Sequence, residues 1–292
     1  MVGDASARRA YRYLLPALLL EAGFVFVPLG MAVWYSLHRV RYFEIEGAVG
    51  FANYLDILTH GAFLNSLAVT ATFSVLALAL TFTVGFGLAL FLQKDGTAGV
   101  VLRTVVLIPY VIAMLVGSLL LKWLFSADAG LIALANAYFG LSIRTILADP
   151  AYAMAALVAN AIWRDSAFAM IMLLAGLKSI PPTLIAAARI DGAGRWMIFT
   201  RIVLPLLKPA MLITLVRLLL HFANVLTFPL ILTGGGPNNA TDTVALRIFR
   251  VGFEDYDLGR ANAMAIVLCL FNIAVVVLLL IAFRSRDARR RP

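Results

Sequence analysis

Six long apolar runs, at residues 14–37, 64–92, 101–125, 151–177, 210–232 and 261–283, alternate with short polar stretches along the chain. Each run has at least the ~20 residues that an α-helix needs to cross a hydrocarbon layer. Backbone N–H and C=O groups find no water there, and a helix pairs all of them within one segment. The pattern therefore predicts an all-α polytopic membrane protein with six transmembrane helices. The polar stretches set its sidedness. With both termini cytoplasmic, Arg8, Arg9, Arg12, Lys94, Arg103, the bases between Lys178 and Lys208, and the tail from Arg284 to Arg291 fall inside. Arg39, Arg41, Lys122, Arg144, Arg247, Arg250 and Arg260 fall outside, about half as many, which is the distribution that the positive-inside preference favours. The expected organisation is a cytoplasmic tail at 1–13, a transmembrane domain at 14–283 and a basic cytoplasmic tail at 284–292.

One polar stretch, residues 178–209, is longer and amphipathic. Leu184, Ala188 and Asp191 share one helical face, with Ala186 and Ala187 beside them and Gly192 as a stop. Pro181 and Pro182 suit a first helical turn, where their missing N–H groups cost little, and Pro205 and Pro209 mark the return to the bilayer. The reading is a short helix, a turn and a second short helix on the cytoplasmic side. An amphipathic interruption between two spans calls for a partner surface.

Composition narrows the class. The chain is 63% hydrophobic and 13% charged with mean hydropathy +0.96, against about 25% charged residues in soluble domains. The net charge of +9 belongs to the cytoplasmic loops and needs no nucleic acid. Cys269 is the one cysteine, so an intrachain disulfide is excluded. Arg8, Arg9 and Arg12 before an apolar run imitate a signal peptide, but that run is long enough to span and has no clear small-x-small cleavage site. No G-x-x-x-x-G-K-[ST] loop occurs, so ATP binding by that route is not expected. With no H-E-x-x-H, no paired Cys or His spacing and three histidines in all, no metal or cofactor is expected either.

Charges inside a span cost about 2.5–3.5 kcal/mol each on insertion scales, so Glu21, Arg164, Asp165 and Arg217 are candidates for function. Asp165, Phe168 and Met172 share one face of the fourth span, with Arg164 about a quarter-turn away. Arg217, His221, Asn224 and Phe228 fall at i, i+4, i+7 and i+11 on the fifth, a single stripe. These two spans flank the 178–209 stretch. A structural alternative pairs an Arg with Asp165 or Glu21 to lock helices, Glu21 serving Arg217 and His221 being a core histidine. A second alternative is an ion- or proton-coupled carrier relaying protons through Glu21, Arg164, Asp165 and His221. It would be supported by an inverted repeat, and none is convincing. A membrane-embedded enzyme would need convergent catalytic groups.

The segment Ala186-Ala187-Ala188-Arg189-Ile190-Asp191-Gly192-Ala193, followed by Phe199, Ile202, Leu204-Pro205 and Pro209, resembles the "EAA" loop of bacterial ABC importer permeases. It departs at Ala186, where the family usually has Glu. Leu232-Thr233-Gly234-Gly235-Gly236-Pro237, with Thr241 and Thr243, resembles the "LTGGGP…T" signature of the maltose-type carbohydrate permeases. Its glycines permit a tight turn and close approach to a ligand or partner. Gly50-Phe51-Ala52-Asn53-Tyr54 resembles the family's "G-x-x-N-[YF]" stretch after the first helix, read as packing.

The resemblance implies a transport subunit, not an enzyme, in the bacterial inner membrane. Leu184, Ala186, Ala187, Arg189, Asp191, Gly192 and Phe199 would form a coupling helix docking on an ATPase. Two such nucleotide-binding subunits, carrying ATP and Mg, a second related permease and an extracytoplasmic substrate-binding protein are the implied partners, with membrane lipid and without nucleic acid. The second outer loop, 126–150, is too short to hold the extra domain of some relatives, so the binding protein would meet only short loops. Trp163, Asp165 and Phe168 fall where maltose-type permeases contact sugar, although the family member compared has no acid at the Asp165 position. Asn224 falls on another such position, and His221 and Phe228 extend its stripe. Aromatic faces suit sugar C–H surfaces, and amides and carboxylates suit hydroxyls. The expected cargo is a di- or oligosaccharide or polyol-type solute.

Overall fold

The computed structural model describes residues 3–94, 96–126, 129–140 and 146–288. Arg144 and Arg289 to Arg291 lie outside the described residues, as do the side chains of Arg8, Arg9, Arg12, Arg284 and Arg286. Among the described residues five helices are long and apolar enough to span a membrane, and a sixth span exists if one sharply bent pair is counted together. The chain forms two compact units, one running up to Phe63 and resuming over Ile248–Cys269, the other covering Leu64–Arg247 and the chain from Leu270 on.

In the first unit α1 (Gly3–Ser36) leads into an antiparallel hairpin, β1 (His38–Arg41) and β2 (Glu44–Ala48), then α2 (Ala52–Thr59). The hairpin is an addition to the expected all-helical plan. It is held by the loop motif read as packing. Asn53 Nδ2 donates to the carbonyls of Ser36 and His38 at 2.8 and 3.0 Å, and the Tyr54 hydroxyl meets Ser36 Oγ at 2.7 Å. Asp257 accepts from Arg41 Nε at 3.3 Å, while Arg260 Nε lies 2.9 Å from Asp56 Oδ2 and 3.5 Å from Asp257 Oδ2. Glu21 is exposed on α1.

The second unit is built around α7 (Pro150–Lys178). Its start is dictated locally: Asp149 caps it, accepting from the N–H groups of Ala151 and Tyr152, and Pro150 occupies the first turn, where no donor is missed. Small residues then let neighbours approach. A Cβ at Gly85 of α3 (Gly61–Phe91) would lie 2.4 Å from Ala169 Cβ, and one at Gly176 would lie 2.6 Å from Ala210 Cβ of α10 (Leu204–Asn224). In a bilayer, where apolar burial drives little helix association, such contacts hold helices together. The core around α7 contains Phe73, Leu157, Ala161, Leu218, Phe222 and Phe228, continued by Met170, Leu173 and Leu207.

Two expectations on helix continuity are corrected. The run expected as one span at 101–125 is α4 (Thr97–Val111) and α5 (Met114–Leu124), bent by 92°. Pro109 deprives the Val105 carbonyl of its donor, and Ile112 and Ala113 then adopt extended backbone, with ψ of 134° at both. Conversely, the second short helix of the 178–209 stretch is not a separate element. After α8 (Pro182–Ile190), α9 (Arg195–Ile198) passes through a wide π-turn at Phe199–Val203 directly into α10. The wider turn and the position of Pro205 in the first turn of α10 absorb the missing N–H that would otherwise break a helix. The glycine-rich loop after α10 is followed by α11 (Val244–Phe249), and α12 (Leu258–Ala288) closes the described chain.

Candidate functional site

The charged residues of α7 and α10 converge inside the second unit. Arg164 and Asp165 are neighbours in sequence, and helical geometry alone separates their Cβ directions by about 100°. The long Arg164 side chain nevertheless curls back, donating from Nη1 to Asp165 Oδ1 at 3.1 Å and from Nη2 to the Tyr110 carbonyl at 3.3 Å. Asp165 is almost fully buried, and its other oxygen lies 3.5 Å from His221 Nε2 without hydrogen-bond alignment. That approach ties α7 to α10 at the depth of Asp165. Arg164 Nε, Asp165 Oδ2 and His221 Nε2 are buried polar atoms without a hydrogen-bond partner among the described residues. Such atoms are costly, and they mark a place where a further polar group would be welcome.

Aromatic rings continue the cluster. The Arg164 guanidinium sits 5.0 Å from the centre of the Tyr110 ring, Tyr110 stacks on Phe168 at 6.0 Å, and the Arg217 guanidinium sits over Phe168 at 5.2 Å. The order Arg164, Tyr110, Phe168, Arg217 thus runs across α4, α7 and α10. Asn224, exposed at the end of α10, accepts at Oδ1 from Asn272 Nδ2 at 3.1 Å and donates to the Leu220 carbonyl at 2.7 Å.

The residues picked from the sequence separate into two kinds. Asp165, Phe168 and His221 are brought together, and Arg217 joins them. Trp163, two residues from Asp165 and so about 200° around the helix, stands instead against Gly117 of α5, 3.3 Å from where a Cβ would be, with 37% of its surface exposed. Phe228 is fully buried in the core, edge-on to His221 at 6.1 Å, beyond the break in α10 at Val225. The stripe from Arg217 to Asn224 is helical, and Phe228 reaches the same group by a change of direction. Tyr110 and Asn272 were missed. Tyr110 enters because the chain bends just after it, whereas Asn272 carried a signal, an amide deep within the strongly apolar run at 261–283.

The other candidate segment is α8 with its turn. Helix α8 buries none of its residues, and Leu184, Ala186, Ala187 and Arg189 are exposed along it. Asp191 ends the helix and Gly192 follows at φ +80°, a left-handed conformation that side chains resist. The N–H of Gly192 donates to the Arg189 carbonyl and that of Ala193 to the Ala188 carbonyl, the paired bonds of a Schellman ending. Phe199 sits apart from these, half-buried between Trp196 and Phe86 at 5.9 and 6.3 Å. In the glycine signature, Gly234 and Gly235 take φ of +59° and +78°, and Thr241 Oγ1 closes the loop on Thr233 Oγ1 at 2.8 Å and the Gly236 carbonyl at 2.7 Å. Asp242, buried just beyond, accepts from Ser66 Oγ and Arg247.

Comparison with known proteins places this arrangement. The sequence profile described as "Binding-protein-dependent transport system inner membrane component" matches residues 81–291. The chain belongs to this family. It is a permease component, a transport subunit of the inner membrane. Over 280 residues the permease is 32% identical to the trehalose/maltose transport system permease protein MalF of Thermococcus litoralis, with 95% of each chain covered. Over 271 residues it is 34% identical to the sn-glycerol-3-phosphate transport system permease protein UgpA of Yersinia pseudotuberculosis, with 92% of each covered. Among solved structures, a bacterial alginate ABC transporter in complex with an alginate-bound periplasmic protein aligns at TM-score 0.78 and 25% identity, covering 94% of this chain and 93% of that one. A second alginate importer structure shares the fold at TM-score 0.81 and 24% identity, covering 96% of each. Membership of the family sets aside the secondary-carrier and membrane-enzyme readings.

Proposed function

We propose that the permease forms half of the translocation path of an ATP-driven carbohydrate importer, with α8 as the coupling helix for an ATPase subunit. The observation that carries this reading is the connection between the two candidate sites. A single helical rod runs from Arg195 through the π-turn to Asn224, about 45 Å at 1.5 Å per residue. One end follows the α8 turn, and the other carries Arg217, His221 and Asn224 to Asp165. A push on α8 is therefore delivered to the polar cluster by a rigid body, because Gly176 leaves α10 no slack against α7.

In this reading α8 and both termini are cytoplasmic, the transmembrane domain spans 14–283 with tails at 1–13 and 284–292, and ATP and Mg reside on two partner ATPases. Leu184, Ile190, Trp196 and Met197, all exposed, supply the apolar part of the docking face, and Arg189 its charge. A second, related permease completes the path, since a two-cleft ATPase dimer takes two coupling helices. An extracytoplasmic binding protein delivers the cargo, a partnership supported by the family description and by the alginate transporter complex. The relatives named for trehalose/maltose, sn-glycerol-3-phosphate and alginate support a sugar or polyol-type solute. Asp165, Phe168, His221 and Asn224 are its contacts, offering hydroxyl partners beside an aromatic face.

The test is uptake into proteoliposomes holding the whole transporter. The expected result is accumulation of a carbohydrate only with ATP and the binding protein together. Uptake driven by an ion or proton gradient without ATP would overturn the reading.

A further inference from the structure

The polar cluster is not electrically balanced. Arg164 has the Asp165 carboxylate at 3.1 Å, and these two charges cancel. Arg217, four residues before His221 on the same face of α10, has no carboxylate within ion-pair distance among the described residues. It stands over Phe168, exposed, where a cation within a membrane span is costly unless something compensates it.

The way Arg217 is held bears on what compensates it. An aromatic face attracts the guanidinium through its quadrupole and occupies none of the five N–H donors. Arg164 shows the contrast: it lies over Tyr110 and also spends donors on Asp165 and the Tyr110 carbonyl. Arg217 is thus a positioned cation with a free N–H fork, a geometry matched by the two oxygens of a carboxylate or phosphate. The hydroxyl-bonding groups Asp165, His221 and Asn224 lie on the same stretch of α7 and α10.

We infer that the cargo of this permease carries an acidic group, a carboxylate or a phosphate, and that Arg217 receives it. This rests on the carbohydrate-path reading above and narrows it from neutral sugars to anionic ones. An amine-bearing sugar is disfavoured by the same excess of positive charge.

The experiment uses the complete transporter in nanodiscs without its binding protein, so that the permease path alone selects. Binding of three probes is measured: digalacturonic acid, sn-glycerol 3-phosphate and maltose. The expected result is that one acidic probe binds about tenfold or more tightly than maltose, as charge-assisted forked hydrogen bonds allow, and weakens as salt rises. Which acidic probe it is identifies carboxylate or phosphate. In Arg217→Gln the acidic-over-neutral ratio falls to about one. Should that variant fail to assemble, Arg217→Lys is read instead, and a several-fold drop in the ratio supports the assignment through loss of the fork. Maltose bound as tightly as either acidic probe overturns the inference while leaving the carbohydrate reading intact. A ratio unchanged in both variants also overturns it. If assembly lost in Arg217→Gln is regained by neutralising an acid of the second permease, Arg217 is an intersubunit ion-pair residue and the inference falls. If none of the three probes binds and uptake of all three fails with the binding protein present, the carbohydrate reading itself falls.

Discussion

Removing the Asp165 carboxylate should unlock the centre of the permease. In Asp165→Ala, Arg164 keeps a guanidinium whose side chain is only 13% exposed and loses the one charged partner it has among the described residues, at 3.1 Å. Breaking a buried pair from one side costs about 3–5 kcal/mol, chiefly because the remaining charge stays desolvated. The lost approach of His221 adds little, since its 3.5 Å separation is not a formed hydrogen bond. Replacing both partners, as Arg164→Met with Asp165→Ala, removes the stranded charge and should recover most of that loss. The assay is a double-mutant cycle on thermal unfolding of the assembled transporter in nanodiscs. The single variant should fall by on the order of 10 °C and the double variant by much less. Singles that sum to the double, or an Asp165→Ala variant within about 0.5 kcal/mol of the parent, would refute the pairing.

Other substitutions test separate joints. Gly176→Val should prevent close contact of α7 and α10, because even a Cβ there lies 2.6 Å from Ala210 Cβ and 2.7 Å from Leu207 Cδ1; recovery of assembled complex should drop sharply. Asn53→Ala leaves the carbonyls of Ser36 and His38 without their donor, at about 1–3 kcal/mol for buried partners, and proteolysis at the β1–β2 hairpin should rise. Ala186→Glu places on exposed α8 the acid that the "EAA" pattern usually carries, so complex recovery should hold or improve; a severe loss would speak against α8 as a dock.

Much of this was readable from one chain. Span lengths follow from the bilayer, so five helices appeared where the apolar runs lie, and the α8 stop at Gly192 followed from the conformation only glycine takes easily. The 92° bend after Val111 was hidden because Pro109 sits in an apolar run whose length alone argues for one helix. The continuity of α9 into α10 was hidden by Pro205, which follows the π-turn in the first turn of α10, and by Pro209, which α10 carries inside its helix. The hairpin was missed since its strands, HRVR and EIEGA, are too short for a period to register. Within the site, face geometry grouped Asp165 with Phe168 and Arg217 with His221 but could not foresee Arg164 folding back across a quarter-turn. Nor could it show that Phe228 meets His221 from within the core, past the break at Val225.

Motion imposed at α8 should reach the polar cluster through the α9–α10 rod. This coupling is tested most directly by the number of solute molecules taken up per ATP hydrolysed in proteoliposomes, comparing the parent with Gly192→Ile. Isoleucine resists φ +80°, so the turn that sets α8 against the rod should be lost. The variant should still assemble and hydrolyse ATP while uptake per ATP falls by about tenfold or more. An assembled Gly192→Ile transporter with the parent's uptake per ATP would contradict that coupling.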